Sequence, residues 1–159
     1  AMHQLHLTDA TIDGFNSLAH VRPPLRSEQD RQLLRQGVAN GIIDAICSHH
    51  EPLSTSSKLA PFAETEAGIS SLDTFMALGV ALVNQNLMSP LQLATQISLK
   101  PAHIAGIQNH WQDVAGWVLV DPTLEWVVNN DEFVSQGKNT PFLAAKVIGR
   151  TTQVFFKDQ

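Results

Sequence analysis

Two adjacent histidines and a glutamate, His49, His50 and Glu51, directly follow a mostly apolar stretch that begins at Gly41. The stretch has no helical period, which is typical of a largely buried strand. In α/β barrels and doubly wound sheets, binding groups collect at the carboxyl ends of strands. Imidazole and carboxylate groups there can ligate a metal ion or exchange protons. The sequence therefore predicts a candidate site at this strand end.

The same residues allow simpler interpretations, and the sequence alone leaves these open. Adjacent residues on a strand or turn rarely both ligate one ion, so His49 and His50 are either a metal pair or separate hydrogen-bonding groups. Cys47, in the apolar strand, is predicted to be a small core residue and not a nucleophile. His3 and His6 lie three apart on the β-compatible segment 2–7, so they point to opposite faces and do not converge on one metal.

A helix and two flanking strands are predicted to position this site. Ser27 and Asp30 form a capping-box pattern, leucines and Val38 follow at helical spacing, and Gly41 suits the left-handed position after a helix. Segment 15–21 is a candidate strand before the helix, and the apolar stretch after Gly41 follows it. Strand, helix and strand in this order predict a parallel sheet.

The rest of the chain changes character twice. A long polar loop covers residues 51–70, and a helix is predicted from Ser70 or Ser71 to about Val83. The apolar residues expected on the buried side of that helix are Leu72, Phe75, Met76, Val80 and Val83. Shorter helices are predicted to begin at the pairs 89–90 and 100–101, where proline takes the first helical position. From Trp117 onward, the segments 117–120, 126–128 and 147–156 have the composition of strands.

Composition limits the function classes. The 159 residues suffice for a domain with a core, and the net charge of -5 disfavours nucleic acid as a partner. A single cysteine permits neither an intrachain disulfide nor a thiolate zinc cluster, so we expect a reducing, cytoplasmic setting. No apolar run approaches the roughly 20 residues of a membrane helix, and no secretory signal is expected.

Several short motifs, taken in their order, resemble the dihydroorotases of the amidohydrolase superfamily. The resemblance covers most of this chain and corresponds to the C-terminal half of the family's proteins. The matching stretches are His3-Gln-Leu-His-Leu-Thr-Asp9, Arg22-Pro-Pro-Leu-Arg26, Ile42 to Leu53, Lys58-x-x-Pro-Phe62, Glu66-Ala-Gly-Ile-Ser-Ser-Leu-Asp-Thr74, Pro101-Ala102 with Gly106, and Gly137-Lys-Asn-Thr-Pro-Phe142.

The resemblance implies roles for individual residues, and several positions depart from the family pattern. His49 stands where the family has its catalytic aspartate, and Leu53 stands where a histidine contacts the substrate carboxylate. Arg26 and His50 match substrate-binding positions. His3 corresponds to a metal ligand, although the family's other ligands lie in the half that this chain does not include. We therefore expect no catalytic residue here and a vestigial metal position at His3.

The resemblance also implies a fold and two alternative functions. The expected fold is α/β: the C-terminal part of a TIM barrel with about three βα units in residues 1–112, followed by a small β-rich segment in residues 113–159. The departures are similar to those of inactive dihydroorotase-like proteins that hold aspartate transcarbamoylase in a larger assembly, with no cofactor expected. The alternative is a zinc-dependent cyclic amidohydrolase whose N-terminal metal-binding half lies outside this chain.

Part of a barrel leaves strand edges without neighbours. The apolar flanks of Ile42, Ile43 and Ile46 would then be exposed. We therefore expect association, either with a second copy or with a missing N-terminal half. Aspartate transcarbamoylase is the further partner that the resemblance implies.

Overall fold

The computed structural model describes residues 1–107 and 116–156. The regular elements are α1 (Glu28–Ala39), α2 (Leu72–Asn84), α3 (Pro90–Ala94), α4 (Lys100–Ile104), β1 (Gly116–Val127) and β2 (Lys146–Phe156). Short 3-10 turns occupy much of the chain between them. No helix within the described ranges has the length and apolar character needed to cross a membrane.

Helix α1 forms as its sequence predicts. The Ser27 hydroxyl accepts a hydrogen bond from the Asp30 amide at 3.2 Å, and the Asp30 carboxylate accepts one from the Ser27 amide at 3.2 Å. This reciprocal capping box satisfies amides that the first helical turn cannot pair. Gly41 follows the helix with φ +72°, a conformation that glycine adopts without steric cost.

Helix α2 is also confirmed and Val80 is buried as predicted, but the other buried residues differ from the predicted ones. Thr74, Ala77, Leu78 and Leu82 are buried, whereas Leu72 is 55% exposed. The small side chains of Thr74 and Ala77 let this face approach the core closely. The predicted apolar residues Phe75, Met76 and Val83 lie beside this face and are half-buried.

The two proline-started helices are confirmed, and a segment of π-helix joins them. Ser89 caps α3 with a capping box to Gln92, and α4 begins at Lys100. Between them, residues Thr95–Leu99 form a π-helix. The buried Gln96 in that segment donates its side-chain amide to the Val38 carbonyl at 2.8 Å, which fixes this helical run against the end of α1.

The prediction of three strands in the N-terminal part is wrong, because none of these segments forms a regular strand. Residues Met2–Leu5 and Ser17–Ala19 form 3-10 turns, and residues 44–50 have no regular structure. A strand requires a hydrogen-bonded ladder with a neighbour, and here the contacts are single bonds, such as the Met2 amide to the Cys47 carbonyl at 2.9 Å. The parallel sheet is not present in the described residues, and the barrel origin stays a prediction.

Because the stretch after Gly41 is not a strand within a sheet, its side chains are less buried than we predicted. Cys47 is exposed and is not the core residue that we predicted. Ile42 is 77% exposed and Ile43 is half-buried, whereas Ile46 is buried. With no strand neighbour on one side, this segment packs only the side chain that points toward α2 and its surroundings.

The β-rich C-terminal part is confirmed as one long antiparallel ribbon. Its register runs from Gly116 opposite Phe156 to Val127 opposite Lys146, with two irregularities between. Many of its apolar side chains are about half exposed. The predicted boundary between residues 112 and 113 lies outside the described residues, as do His110 and Trp111, so that division of the chain stays a prediction.

Two apolar clusters form the core. The larger joins the N-terminal turn to α1, α2 and α3, and its buried members are Met2, Leu5, Val38, Ile46, Leu78, Leu82, Met88 and Leu93. The smaller contains Ala19, Val21, Leu25 and Ile69. Ile46, just before the predicted site, belongs to the larger cluster, which therefore anchors the approach to the site.

The ribbon docks on α2 through Gly149. A Cβ on this glycine would lie 2.7 Å from the Val80 side chain, and its φ is +98°. Its carbonyl also accepts a hydrogen bond from the Trp126 indole at 3.0 Å. Only a residue without a side chain allows this close approach.

We expect Gly149→Ala to destabilise the protein more than Gly106→Ala does. Gly106 also has a positive φ of +72°, but a Cβ there meets nothing within 4 Å. The control therefore carries the backbone cost of about 1–2 kcal/mol, and Gly149→Ala adds about 1–3 kcal/mol of overpacking. Urea denaturation measures both free energies of unfolding. Equal losses in the two variants would contradict the docking role of Gly149.

Candidate functional site

The segment from Ser48 to Leu53, which we call the histidine segment, lies between two other stretches of chain. On one side is the stretch before α2, where the Glu51 amide donates to the Ile69 carbonyl at 2.8 Å. On the other side is the C-terminal loop, residues 133–140. Gly137 in this loop lies so close that a Cβ would stand 2.6 Å from the Leu53 amide nitrogen. Three separate parts of the chain therefore meet at the predicted site.

His50 caps helix α2. Its Nδ1 accepts hydrogen bonds from the backbone amides of Ser71 at 3.0 Å and Leu72 at 3.2 Å. The first amides of a helix have no partner within the helix, and Ser71 makes no side-chain cap here. Instead, the Ser71 hydroxyl donates to the Ser48 carbonyl at 2.8 Å. The histidine segment and the start of α2 thus exchange hydrogen bonds in both directions.

The two amide donors determine which tautomer a neutral His50 ring adopts. Because Nδ1 accepts both bonds, a neutral ring carries its proton on Nε2, which lies 3.4 Å from the Ser135 hydroxyl oxygen. That nitrogen donates to Ser135 and has no lone pair with which to take a proton from it. Ser135 also accepts a hydrogen bond from the buried Ser70 hydroxyl at 3.1 Å. His50 and Ser135 are therefore not arranged as a base and a nucleophile.

His49 has a different set of contacts. Its backbone has φ +50°, and its Nε2 lies 2.7 Å from the Arg22 carbonyl oxygen. The Glu51 carboxylate is 3.7 Å from the same nitrogen. Since a carbonyl can only accept, Nε2 of His49 must donate to it. The position that resembles the family's catalytic aspartate thus holds a hydrogen-bond donor to the backbone.

Asn139 completes the site, and the motif Gly137 to Phe142 was its only signal in the sequence. Its side-chain amide nitrogen donates to the Glu51 carbonyl at 3.0 Å, and its amide oxygen accepts from the Leu53 amide at 2.8 Å. Its own carbonyl accepts from the Ser70 amide at 2.8 Å. Asn139 is 3% exposed, so these bonds are shielded from water. The Asn139 side chain therefore gives the backbone of the histidine segment one donor and one acceptor, as a peptide group of a neighbouring strand would.

His3 is fully buried, and neither of its ring nitrogens has a hydrogen-bond partner among residues 1–107 and 116–156. Its ring centroid lies 6.0 Å from that of His49. Burial, with smaller contributions from the nearby α-amino group and His49, lowers the pKa of His3 to about 4. A neutral imidazole without a partner is the state in which histidine binds a metal.

The donor set around His3 does not fit a zinc site by itself. Zinc requires about three or four ligands that converge on one point. Within residues 1–107 and 116–156, no three histidine, cysteine, aspartate or glutamate side chains are so grouped. His3 is thus one potential ligand, and no chemical step through a metal follows from the described residues.

The described contacts of Arg26 are separate from those of the histidine segment. Arg26 is exposed, and its Nε is 3.7 Å from the Asp30 carboxylate. It borders an apolar cleft of about 330 Å³ together with Leu7, Pro23 and Leu34. The contacts of Arg26 and those of His50 involve different residues. The substrate-binding roles of Arg26 and His50 therefore stay predictions.

Comparison with known proteins places these observations in a family context. No protein-family model matches the chain. A dihydroorotase-like protein of Pseudomonas aeruginosa is 39% identical over 153 residues, which is 94% of this chain and 36% of that protein. A dihydroorotase of Pelobacter propionicus is 36% identical over 152 residues, again 94% of this chain and 36% of that protein.

The chain is homologous to dihydroorotases and dihydroorotase-like proteins. It spans about a third of the length of these curated relatives. This confirms the resemblance to dihydroorotases; the association with inactive members and with aspartate transcarbamoylase stays a proposal.

Solved structures support the corresponding fold. The L-hydantoinase of Arthrobacter aurescens matches with a TM-score of 0.88 and 22% identity, over 100% of this chain and 37% of that one. The inactive dihydroorotase-like domain of a Chaetomium thermophilum multifunctional protein matches with a TM-score of 0.66 and 21% identity, over 99% of this chain and 41% of that one. The chain thus has the fold of the matched parts of these two proteins.

We expect His50→Ala to destabilise the protein by about 1–2 kcal/mol, because the first two amides of α2 lose their acceptor. His103→Ala is the matched control, since His103 is exposed on α4. Its effect is expected to stay within about 0.5 kcal/mol. Urea denaturation measures both values. A His50→Ala variant as stable as the control would exclude the capping role.

The buried histidines predict a loss of stability in acid. Burial is the main cause that lowers the pKa of both His3 and His6 to about 4, from the ordinary histidine value of 6.5. Between these values the unfolded chain binds more protons, so the free energy of unfolding falls as the pH falls through this window. Each histidine contributes a slope of up to about 1.4 kcal/mol per pH unit.

We therefore expect His3→Leu to reduce that slope by roughly half, since His6 continues to contribute. The measurement is the urea unfolding free energy at several values between about pH 7 and about pH 4. His103→Leu, at an exposed position, is the control and retains the wild-type slope. An unchanged slope in His3→Leu would show that His3 is not held neutral by the fold.

Proposed function

We propose that this chain is part of a dihydroorotase-like protein of pyrimidine biosynthesis that is catalytically inactive and acts structurally. The observation that carries this proposal is the use of His50 as the cap of α2 and its bond to Ser135. His50 follows His49, the residue at the position of the family's catalytic aspartate. Both ring nitrogens of His50 make hydrogen bonds within the protein, to the backbone amides of Ser71 and Leu72 and to the Ser135 hydroxyl. Their bonds stabilise the fold and leave no ring nitrogen for a substrate.

The chemistry of cyclic amide hydrolysis supports the same reading. The reaction needs a metal-activated water and a base that moves its proton. His49 occupies the family's acid/base position, and its Nε2 donates to the Arg22 carbonyl. A nitrogen that donates there cannot accept a proton from water. Leu53, at the position of a carboxylate-binding histidine, offers only an apolar side chain, which touches Gly68.

The proposed partner is aspartate transcarbamoylase. The support is the similarity to the dihydroorotase-like protein of Pseudomonas aeruginosa, together with the departures at His49 and Leu53. The large exposed side chains of the ribbon, among them Trp117, Val118 and Phe155, also favour association. Self-association or contact with an N-terminal half of the family's barrel would cover the same kind of surface.

One observation favours a second candidate function. His3 is buried and neutral, and both of its ring nitrogens lack partners within the described residues. This arrangement fits a metal ligand whose companions come from another part of the protein. The alternative is therefore a zinc-dependent cyclic amidohydrolase that is completed by its N-terminal metal-binding half.

A metal analysis combined with an assay on dihydroorotate separates the two candidates. For the structural protein we expect no stoichiometric zinc and no hydrolysis above background, together with co-elution with aspartate transcarbamoylase in size-exclusion chromatography. Stoichiometric zinc with turnover that His3→Ala abolishes would overturn the proposal. His103→Ala, at an exposed position of α4, is the control for nonspecific loss of either property.

A further inference from the structure

The long loop between the histidine segment and α2 contains a buried lysine that neither the fold prediction nor the proposed function explains. Residues 54–67, which we call the strap, carry exposed side chains such as Thr55, Ser56 and Leu59. Lys58 and Thr65 are exceptions, each with only 6% of its surface exposed, and Lys58 is the charged one. Lysine is almost never fully buried unless its ammonium group has partners.

The ammonium group of Lys58 has one partner in the turn at residues 17–20 and one near the end of the strap. Its Nζ donates to the His20 carbonyl at 3.2 Å and to the Glu66 carbonyl at 2.7 Å. The backbone of the same residue is also held, because the Ser17 hydroxyl donates to the Lys58 carbonyl at 2.7 Å. Lys58 therefore connects the start of the strap, its end and the turn at residues 17–20.

A second set of contacts holds His20 against the strap. The Thr65 hydroxyl donates to the Phe62 carbonyl at 2.7 Å, so the 2.8 Å contact between His20 Nδ1 and that hydroxyl requires Nδ1 to be the donor. The His20 ring also stacks on Phe62, with centroids 4.8 Å apart. The His20 backbone carbonyl accepts from the Gly68 amide at 2.9 Å in addition to Lys58.

We propose that Lys58 is a latch that closes the strap over the turn at residues 17–20, and that the strap opens as a unit when the Lys58 ammonium group loses its two carbonyl acceptors or its charge. An ammonium donor strengthens both bonds relative to neutral donors. Burial lowers the pKa of Lys58, and the Glu66 and Glu51 carboxylates oppose that shift. This device is independent of whether the protein is structural or catalytic.

Native-state proteolysis with thermolysin tests the latch, because the strap contains Leu59 and Phe62 as cleavage points. We expect Lys58→Met to raise the rate of cleavage within residues 54–67 roughly tenfold, since two charge-assisted hydrogen bonds are lost. Lys58→Arg keeps a charged donor and is expected to rescue part of the protection. Lys100→Met is the matched control, since it removes an ammonium group that pairs with exposed Asp44.

Two results would overturn the latch. One is a Lys58→Met variant whose strap is cleaved at the wild-type rate. The other is faster cleavage that occurs equally at sites outside the strap, which would indicate global unfolding and not local opening.

Acylation of the unmodified protein with acetic anhydride gives a test that requires no variant. Peptide mass spectrometry then compares the two lysines. We expect Lys58 to react at least about tenfold more slowly than Lys100, whose side chain is 37% exposed. Equal rates for the two lysines would contradict a closed latch in the native protein.

Discussion

The amides at the start of α2 need an acceptor, and His50 supplies it. A helix begins with backbone amides that have no partner within it, and leaving them unsatisfied in a partly buried place is costly. Nδ1 of His50 accepts from Ser71 and Leu72, and Nε2 reaches Ser135 in the C-terminal loop. The position of α2 determines where Val80 stands, and the ribbon docks on Val80 through Gly149. One imidazole thus links the core to the C-terminal part.

The histidine segment, which the sequence predicts as a polar strand end, instead joins α2 to the C-terminal loop. Its polar atoms face inward, to the start of α2 and to Asn139, and not toward a common point where a substrate would sit. The same geometry explains why the homology and the proposed inactivity are compatible. Under the proposed function, His49 and Leu53 stand in place of a catalytic aspartate and a substrate-binding histidine, whereas the bonds that hold the segment use His50, Asn139 and the backbone. Selection for structure alone would retain the latter group.

The sequence predicted those elements whose signals are local. The capping box at Ser27 and the prolines at the starts of α3 and α4 depend on neighbours a few residues away, and the ribbon follows from the strand-like composition of its own segments. The N-terminal strands were wrong because a strand depends on distant partners, and segment 44–50 has only single backbone bonds to its surroundings. The prediction that Cys47 is buried was wrong for the same reason, since no neighbouring strand covers it. At the site, the sequence indicated His50 but not its capping role, and Asn139 was visible only as part of a motif.

The central claim is that His50 belongs to the architecture of the protein, and its hydrogen bonds can be observed directly. A nitrogen-15 NMR experiment detects scalar coupling across the hydrogen bond from the Ser71 amide to Nδ1 of His50, and the ring shifts report which nitrogen carries the proton. We predict a coupling to Nδ1 and a neutral ring with its proton on Nε2. A proton on Nδ1 of the neutral ring, with no coupling to the Ser71 amide, would contradict the account.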